Sequence, residues 1–300
     1  MGIPLAVLAR LTRVKTLPLI LAPIGLGAAL AAERTGRFSW GWFLVSLAGG
    51  SALFAGAMAI NDYYDERSGA DGLGRLERSS VITGSGFIAS KTLTPRAVLG
   101  VAAAAWSIAL LLGLVAAGRD PWVLTLGAAG AVLAHQYVAP PLRYGYRGWG
   151  PLGVGIAFGV LPVTGAYASQ AQGLDASAWS ASIVPALLGA TVYHHSDLLH
   201  WRGDRTAKKM TPAARYGIET SVIFSGIGII AAYVVLTVQV ALRLFPVWAL
   251  LALLTAPMLA SAWARTARDP IPQSVLQLLG ATLGASVGVG LIMSLALAFG

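Results

Sequence analysis

Long apolar stretches broken by short polar connections run through the whole chain. A hydrocarbon core about 30 Å thick needs roughly 17–25 helical residues to cross it. Nine stretches have that length, at about 17–33, 40–60, 97–117, 121–139, 151–169, 179–195, 219–242, 245–263 and 275–299. The pattern predicts an all-α integral membrane protein, a single membrane domain over 1–300 with nine transmembrane helices. Pro23, Pro162, Pro185 and Pro257 fall inside these spans, where neighbouring helices can make good the lost backbone bonds. Abundant Gly and Ala suit close approach of helix to helix. The first stretch is expected to remain in the mature chain. Eight further spans follow it, and no small-residue cleavage site precedes a polar domain.

Composition removes the soluble alternatives. Charged residues are 11% of the 300, against about 25% in an ordinary soluble domain. Hydrophobic residues reach 56% and the mean hydropathy is +0.71. Cysteine is absent, which excludes disulfides, thiolate metal sites and a Cys nucleophile. The net charge of +9 is a matter of topology. Of 21 Lys and Arg residues, 17 fall in the amino-terminal segment and the connections after spans 2, 4, 6 and 8. The positive-inside rule puts those on the cytoplasmic side of the cell (inner) membrane, with the amino terminus inside and the carboxyl terminus outside. No continuous basic face on a soluble element is available for nucleic acid, and no obligate protein partner is evident.

The connections are unequal. Two cytoplasmic ones, 61–96 and 196–218, are long and polar and form expected cap loops. They hold seven of the 12 acidic residues: Asp62, Asp65, Glu66, Asp71, Glu77, Asp197 and Asp204. Carboxylates at a membrane helix end are costly unless they meet a cation or water. If each helix continues by a turn, Asn61, Asp62 and Asp65 share a face, and so do Asp197, His200 and Asp204. Both segments read small polar, Asp, two bulky residues, Asp or His, any residue, then Arg, 135 residues and four helices apart. That is the trace of two four-helix repeats around a central cavity plus one extra helix. Several carboxylates without thiolates suit a hard cation, Mg²⁺ above all, completed by phosphate oxygens. Arg67, Arg143, Arg147, Arg205, Lys208 and Lys209 supply further positive charge for a phosphate whose remainder is at home in lipid.

Other features read more plainly. His194 and His195 are helix neighbours pointing apart, and His135 suits a hydrogen bond within the bundle. Gly84-Ser85-Gly86 is too short for a phosphate loop and reads as a turn. The Trp and Tyr residues read mostly as interfacial belt, but Tyr137, Tyr144 and Tyr146 fit that reading less well, because they bracket Pro140-Pro141 beside Arg143.

Asn61-Asp62-x-x-Asp65 with Ser68-Gly69-x-Asp71 resembles the first aspartate-rich motif of the UbiA superfamily of intramembrane prenyltransferases. The closest form is that of the 1,4-dihydroxy-2-naphthoate branch of menaquinone biosynthesis. The stretch from Tyr137 to Gly148, with Pro140-Pro141-Leu142-Arg143, is similar to that branch, as is the Gly-rich fifth span up to Ala166-Tyr167. The likeness runs from span 1 to at least Gly217. The second motif departs from the family pattern: Ser196, Leu199 and His200 stand for Asn, Arg and Asp, while Asp197, Asp204, Lys209 and Thr211 remain. The resemblance implies transfer of a polyprenyl group from its diphosphate to an aromatic acceptor. It implies Mg²⁺ on Asp62, Asp65, Asp71, Asp197 and Asp204. Asp62, Asp65, Asp197 and Asp204 are the expected catalytic carboxylates, and Asn61, Arg67, Arg143, Lys209, Tyr137 and His200 the expected diphosphate contacts. The changed second motif keeps other readings open: a 4-hydroxybenzoate, tetrapyrrole or lipid acceptor, or a non-catalytic isoprenoid-binding relative. A cation-site transporter is the reading from a different class. Its sites tend toward the bilayer midplane, whereas these carboxylates sit at the cytoplasmic mouth.

Overall fold

The computed structural model describes residues 3–68 and 84–300, and every regular element among them is helical. The short α1 (Leu5–Leu11) leads into α2 (Pro18–Thr35), α3 (Trp40–Ser68), α4 (Pro95–Ala117) and α5 (Pro121–Val138). Then follow α6 (Gly150–Ala171), α7 (Ala176–Thr206), the short α8 (Pro212–Tyr216), α9 (Ile218–Ala241), α10 (Val247–Arg268) and α11 (Pro272–Phe299). Three starts use one local signal, a capping side chain followed by proline: Thr94-Pro95, Asp120-Pro121 and Thr211-Pro212. The side-chain oxygens accept from the N–H groups of Ala97, Trp122 and Ala214, and proline needs no partner at the first helical position. In α6 a π-helical turn at Ile156–Val160 lies immediately ahead of Pro162, whose missing N–H interrupts the regular ladder.

Among the described residues, eight helices are long and apolar enough to cross a membrane, so this is a multi-pass membrane protein. The remaining expected span, 121–139, forms α5, a helix of 18 residues that is not among those eight. Pro121 and Trp122 at one end and His135 and Gln136 at the other leave it less apolar than the eight. Two helices outrun their apolar stretches. α3 continues to Ser68 and α7 to Thr206, so the beginnings of both expected cap loops are helical.

α3 packs on α4, α2 on α6 and α11, and α7 on α6, α9 and α11. The tightest approaches are at glycine. A Cβ on Gly27 would lie 2.1 Å from the Val163 carbonyl oxygen, and one on Gly159 would lie 2.2 Å from the Ala186 nitrogen. Backbone therefore meets backbone where α2, α6 and α7 cross. A cavity of about 660 Å³ opens between α2, α3, α4, α5, α6 and α7. Helices α9, α10 and α11 contribute nothing to its wall. The two expected sets of four thus share the cavity unequally, four helices from the first and two from the second.

Gly27→Ala and Gly159→Ala should each destabilise the fold by about 1–3 kcal/mol, because the added methyl meets main chain that cannot swing aside. Thermal unfolding in detergent reads this out. Gly284→Ala, with open space around its Cβ position, is the control and should change stability by less than about 0.5 kcal/mol.

Candidate functional site

The persistence of α3 and α7 beyond their apolar stretches is what builds the site. Asn61 and Asp65 line the cavity from α3, and Ser196, Asp197, His200 and Asp204 line it from α7. Lys209, in the connection after α7, joins them. Its Nζ lies 3.9 Å from Asp65 Oδ2 and 3.8 Å from Asp204 Oδ1. The expected convergence of two distant acidic segments is therefore present, with an ammonium between them. Burial works against the charge on Lys209, but Asp204, Asp65, Tyr137 and Asp197 outweigh it and hold its pKa well above the usual lysine range. Because the folded-state pKa is the raised one, the bridge is intact below the ordinary lysine range. It is lost only as pH rises through the raised value.

Asp65 is held from a third direction. The Tyr146 hydroxyl donates to Asp65 Oδ1 at 2.7 Å, with Ser68 Oγ 2.6 Å from the same hydroxyl. Burial, then the negative charge of Asp65, push the Tyr146 pKa above the usual tyrosine range, so the hydroxyl stays a donor. The Tyr146 ring lies between two cations, Arg143 at 4.1 Å and Lys209 at 5.4 Å from its centroid. Tyr137 is buried against the edges of Tyr144 and Tyr193 and lines the cavity with them. Below this polar mouth the wall is apolar, with Leu53, Phe54, Trp106 and Phe158 among its members.

Asp62 is placed differently from the other carboxylates. It is buried, lies outside the cavity lining and is fully engaged by protein. Arg13 donates to its Oδ1 at 2.8 Å and to Asn61 Oδ1 at 3.1 Å, while the Ser85 N–H donates to Asp62 Oδ2 at 2.8 Å. Arg13 sits in the left-handed region, φ 50°, which turns the chain between α1 and α2 so that its side chain reaches the cavity. The Gly84-Ser85-Gly86 segment is thus more than a turn, since its backbone clamps a carboxylate. Of the other expected contacts, Arg67 is exposed and donates to Tyr63 OH at 2.7 Å, away from the cavity lining. Arg143 reaches the site only through the Tyr146 ring. Asp71 lies outside the described residues. His194 is hydrogen-bonded to the Ser221 carbonyl and His195 to Thr282, which are packing roles, and His135 stacks edge-on to Tyr64.

Sequence reading missed Arg13 and Ser85. A basic residue just ahead of the first span, on the side where both acidic helix ends emerge, was the available signal for Arg13. Nothing in the sequence marks Ser85, because it acts through its backbone.

Among the described residues no three His, Asp or Glu side chains could hold a metal ion unaided. The donor set does fit a divalent ion that also takes oxygens from a ligand. Asp65, Asp197 and Asp204 line one cavity, and Asp197 Oδ2 is buried without any hydrogen-bond partner.

Arg13→Ala leaves Asp62 buried and short of its cation, and should cost about 3 kcal/mol of stability. The double variant Arg13→Ala, Asp62→Asn should recover part of that loss in thermal unfolding. Simple additivity of the two single effects would contradict the pairing.

The sequence matches the UbiA prenyltransferase family over residues 20–275. It is 29% identical over 248 residues to a 1,4-dihydroxy-2-naphthoate octaprenyltransferase of Mycobacterium tuberculosis, covering 82% of this chain and 81% of that one. It is 27% identical to a 2-carboxy-1,4-naphthoquinone phytyltransferase of Synechocystis, covering 78% and 74%. The fold is that of a UbiA homologue from Archaeoglobus fulgidus solved with DMAPP and Mg²⁺, with a TM-score of 0.64, 13% identity and 97% and 98% coverage. With most of its length matched and the fold shared from end to end, the chain belongs to the UbiA prenyltransferase family and is a prenyltransferase.

Proposed function

We propose that the enzyme moves a polyprenyl group from its diphosphate to 1,4-dihydroxy-2-naphthoate, a step of menaquinone biosynthesis, at the cytoplasmic side of the cell membrane. The carrying observation is the meeting of Asp65, Asp197, Asp204 and Lys209 at the polar mouth of an apolar cavity. The acceptor is favoured by the names of the two relatives above, which share a naphthalene acceptor and differ in the prenyl group.

In this reading the diphosphate binds at the mouth and the isoprenoid lies along the apolar wall. Asp65, Asp197 and Asp204 would hold Mg²⁺, which would supply positive charge toward the departing diphosphate. Lys209 donates charge-assisted hydrogen bonds to the same oxygens, and Arg13, which lines the mouth, adds a second cation. Tyr146 keeps Asp65 oriented. The allylic C–O bond breaks with its electron pair going to the diphosphate, and the cationic residues stabilise that charge. Tyr137, Tyr144 and Tyr193 present aromatic surface to the allylic cation and keep water from it. The electron-rich naphthoate ring, its hydroxyl polarised by a nearby carboxylate, then attacks the allylic carbon through a ring carbon. That ring carbon releases the group it carried, a proton or the carboxyl as CO₂, with the bonding electrons returning to restore the aromatic ring.

Radiolabelled polyprenyl diphosphate and 1,4-dihydroxy-2-naphthoate, incubated with the purified chain, should give a labelled lipid that EDTA abolishes and Mg²⁺ restores. Folded protein that makes no product with this acceptor, yet does so with 4-hydroxybenzoate, overturns the acceptor. Asp65→Asn and Asp197→Asn should each lower kcat by about a hundredfold or more with unchanged unfolding temperature. Near-normal turnover in either removes that residue from the reaction.

A further inference from the structure

His200 is an unusual neighbour for carboxylates meant to hold a hard ion. Among the described residues it is the one histidine that lines the cavity, and the other three are committed elsewhere in the bundle. It stands three residues after Asp197 and four before Asp204 on α7, so all three share a face. Two buried atoms on this face have no hydrogen-bond partner, Asp197 Oδ2 and His200 Nε2. With its proton on Nδ1, His200 offers a lone pair at Nε2 just as the carboxylate does at its oxygen, and in that tautomer neither can satisfy the other. Leaving each unmet is costly. The nearby cations are already used: Lys209 bridges Asp65 and Asp204, and Arg13 is bonded to Asn61 and Asp62. One partner that satisfies an oxygen and a nitrogen lone pair together is a metal ion.

We infer that Asp197 and His200 form a mixed oxygen–nitrogen seat for a divalent ion, which binds a first-row ion such as Co²⁺ in preference to Mg²⁺. The inference rests on the reading above that a divalent ion accompanies the diphosphate, and refines which ion this chain selects. Imidazole raises affinity along the series from Mn²⁺ to Cu²⁺, whereas Mg²⁺ gains little from exchanging an oxygen for a nitrogen. The ring torsion of histidine is broad, so rotation about Cβ–Cγ can turn a ring nitrogen toward the cavity. The diphosphate and water complete the shell, which is why no cluster of three protein donors is required.

Pulsed EPR on the full chain in detergent, loaded with Mn²⁺ and geranyl thiolodiphosphate, tests the seat. The expected spectrum carries ¹⁴N modulation, which changes to the ¹⁵N pattern when the protein is grown on ¹⁵N-histidine. That labelling leaves the fold untouched. His200→Asp should bind Mn²⁺ without the nitrogen signal. In competition titrations its preference for Co²⁺ over Mg²⁺ should fall roughly tenfold. Bound Mn²⁺ without nitrogen modulation, modulation that survives in His200→Asp, or an unchanged Co²⁺ to Mg²⁺ ratio overturns the inference and leaves the diphosphate reading standing. Failure to bind Mn²⁺ at all in the presence of the analogue overturns both.

Discussion

A carboxylate buried in a lipid-embedded bundle has to be neutralised, and most of the site follows from how that is done. Asp62, Asp65, Asp197 and Asp204 are all under 8% exposed. Two cations serve three of them: Arg13 neutralises Asp62, and Lys209 lies between Asp65 and Asp204. Among the described residues, Asp197 has no cation within ion-pair reach. A buried carboxylate oxygen without a partner is costly, and in the proposed reading Asp197 is where a ligand supplies one, while Asp62, outside the cavity lining, keeps the shape of the mouth.

The same distribution separates two carboxylates that look alike in the first motif. Asp62 and Asp65 are one turn apart on α3, yet Asp62 faces the protein and Asp65 the cavity. Asp62 ties three parts of the chain together: the turn after α1, the end of α3 and the segment at Ser85. Under the proposed reaction, loss of Asp65 removes a group at the diphosphate, whereas loss of Asp62 loosens the contacts among the turn after α1, the end of α3 and Ser85, and either lowers turnover. Turnover alone would not tell these apart.

Much of this was legible in the residues. The length of the apolar stretches marks the helices, and the three-and-four spacing of Asp197, His200 and Asp204 puts them on one face. The family likeness rested on Asn61, Asp62 and Asp65 and on the run from Tyr137 to Gly148, and the family is the one found. What the sequence concealed was contact between distant segments. That Arg13 reaches Asp62, that Tyr146 donates to Asp65, and that Arg67 turns outward all depend on how helices stack. Hydropathy carries no information on that. The unequal sharing of the cavity was hidden for the same reason: α9, α10 and α11 are as apolar as the helices that line it.

The glycine crossings of α2, α6 and α7 have a mechanical consequence. Main chain pressed on main chain leaves no side chain to change rotamer, so that flank of the bundle is stiff. The opposite flank is built otherwise. In α4 only 11% of the apolar window is buried, against 61% in the span that contains α2. Room for a long isoprenoid is therefore made more readily on the α4 side, which is little covered by protein, than across the glycine crossings.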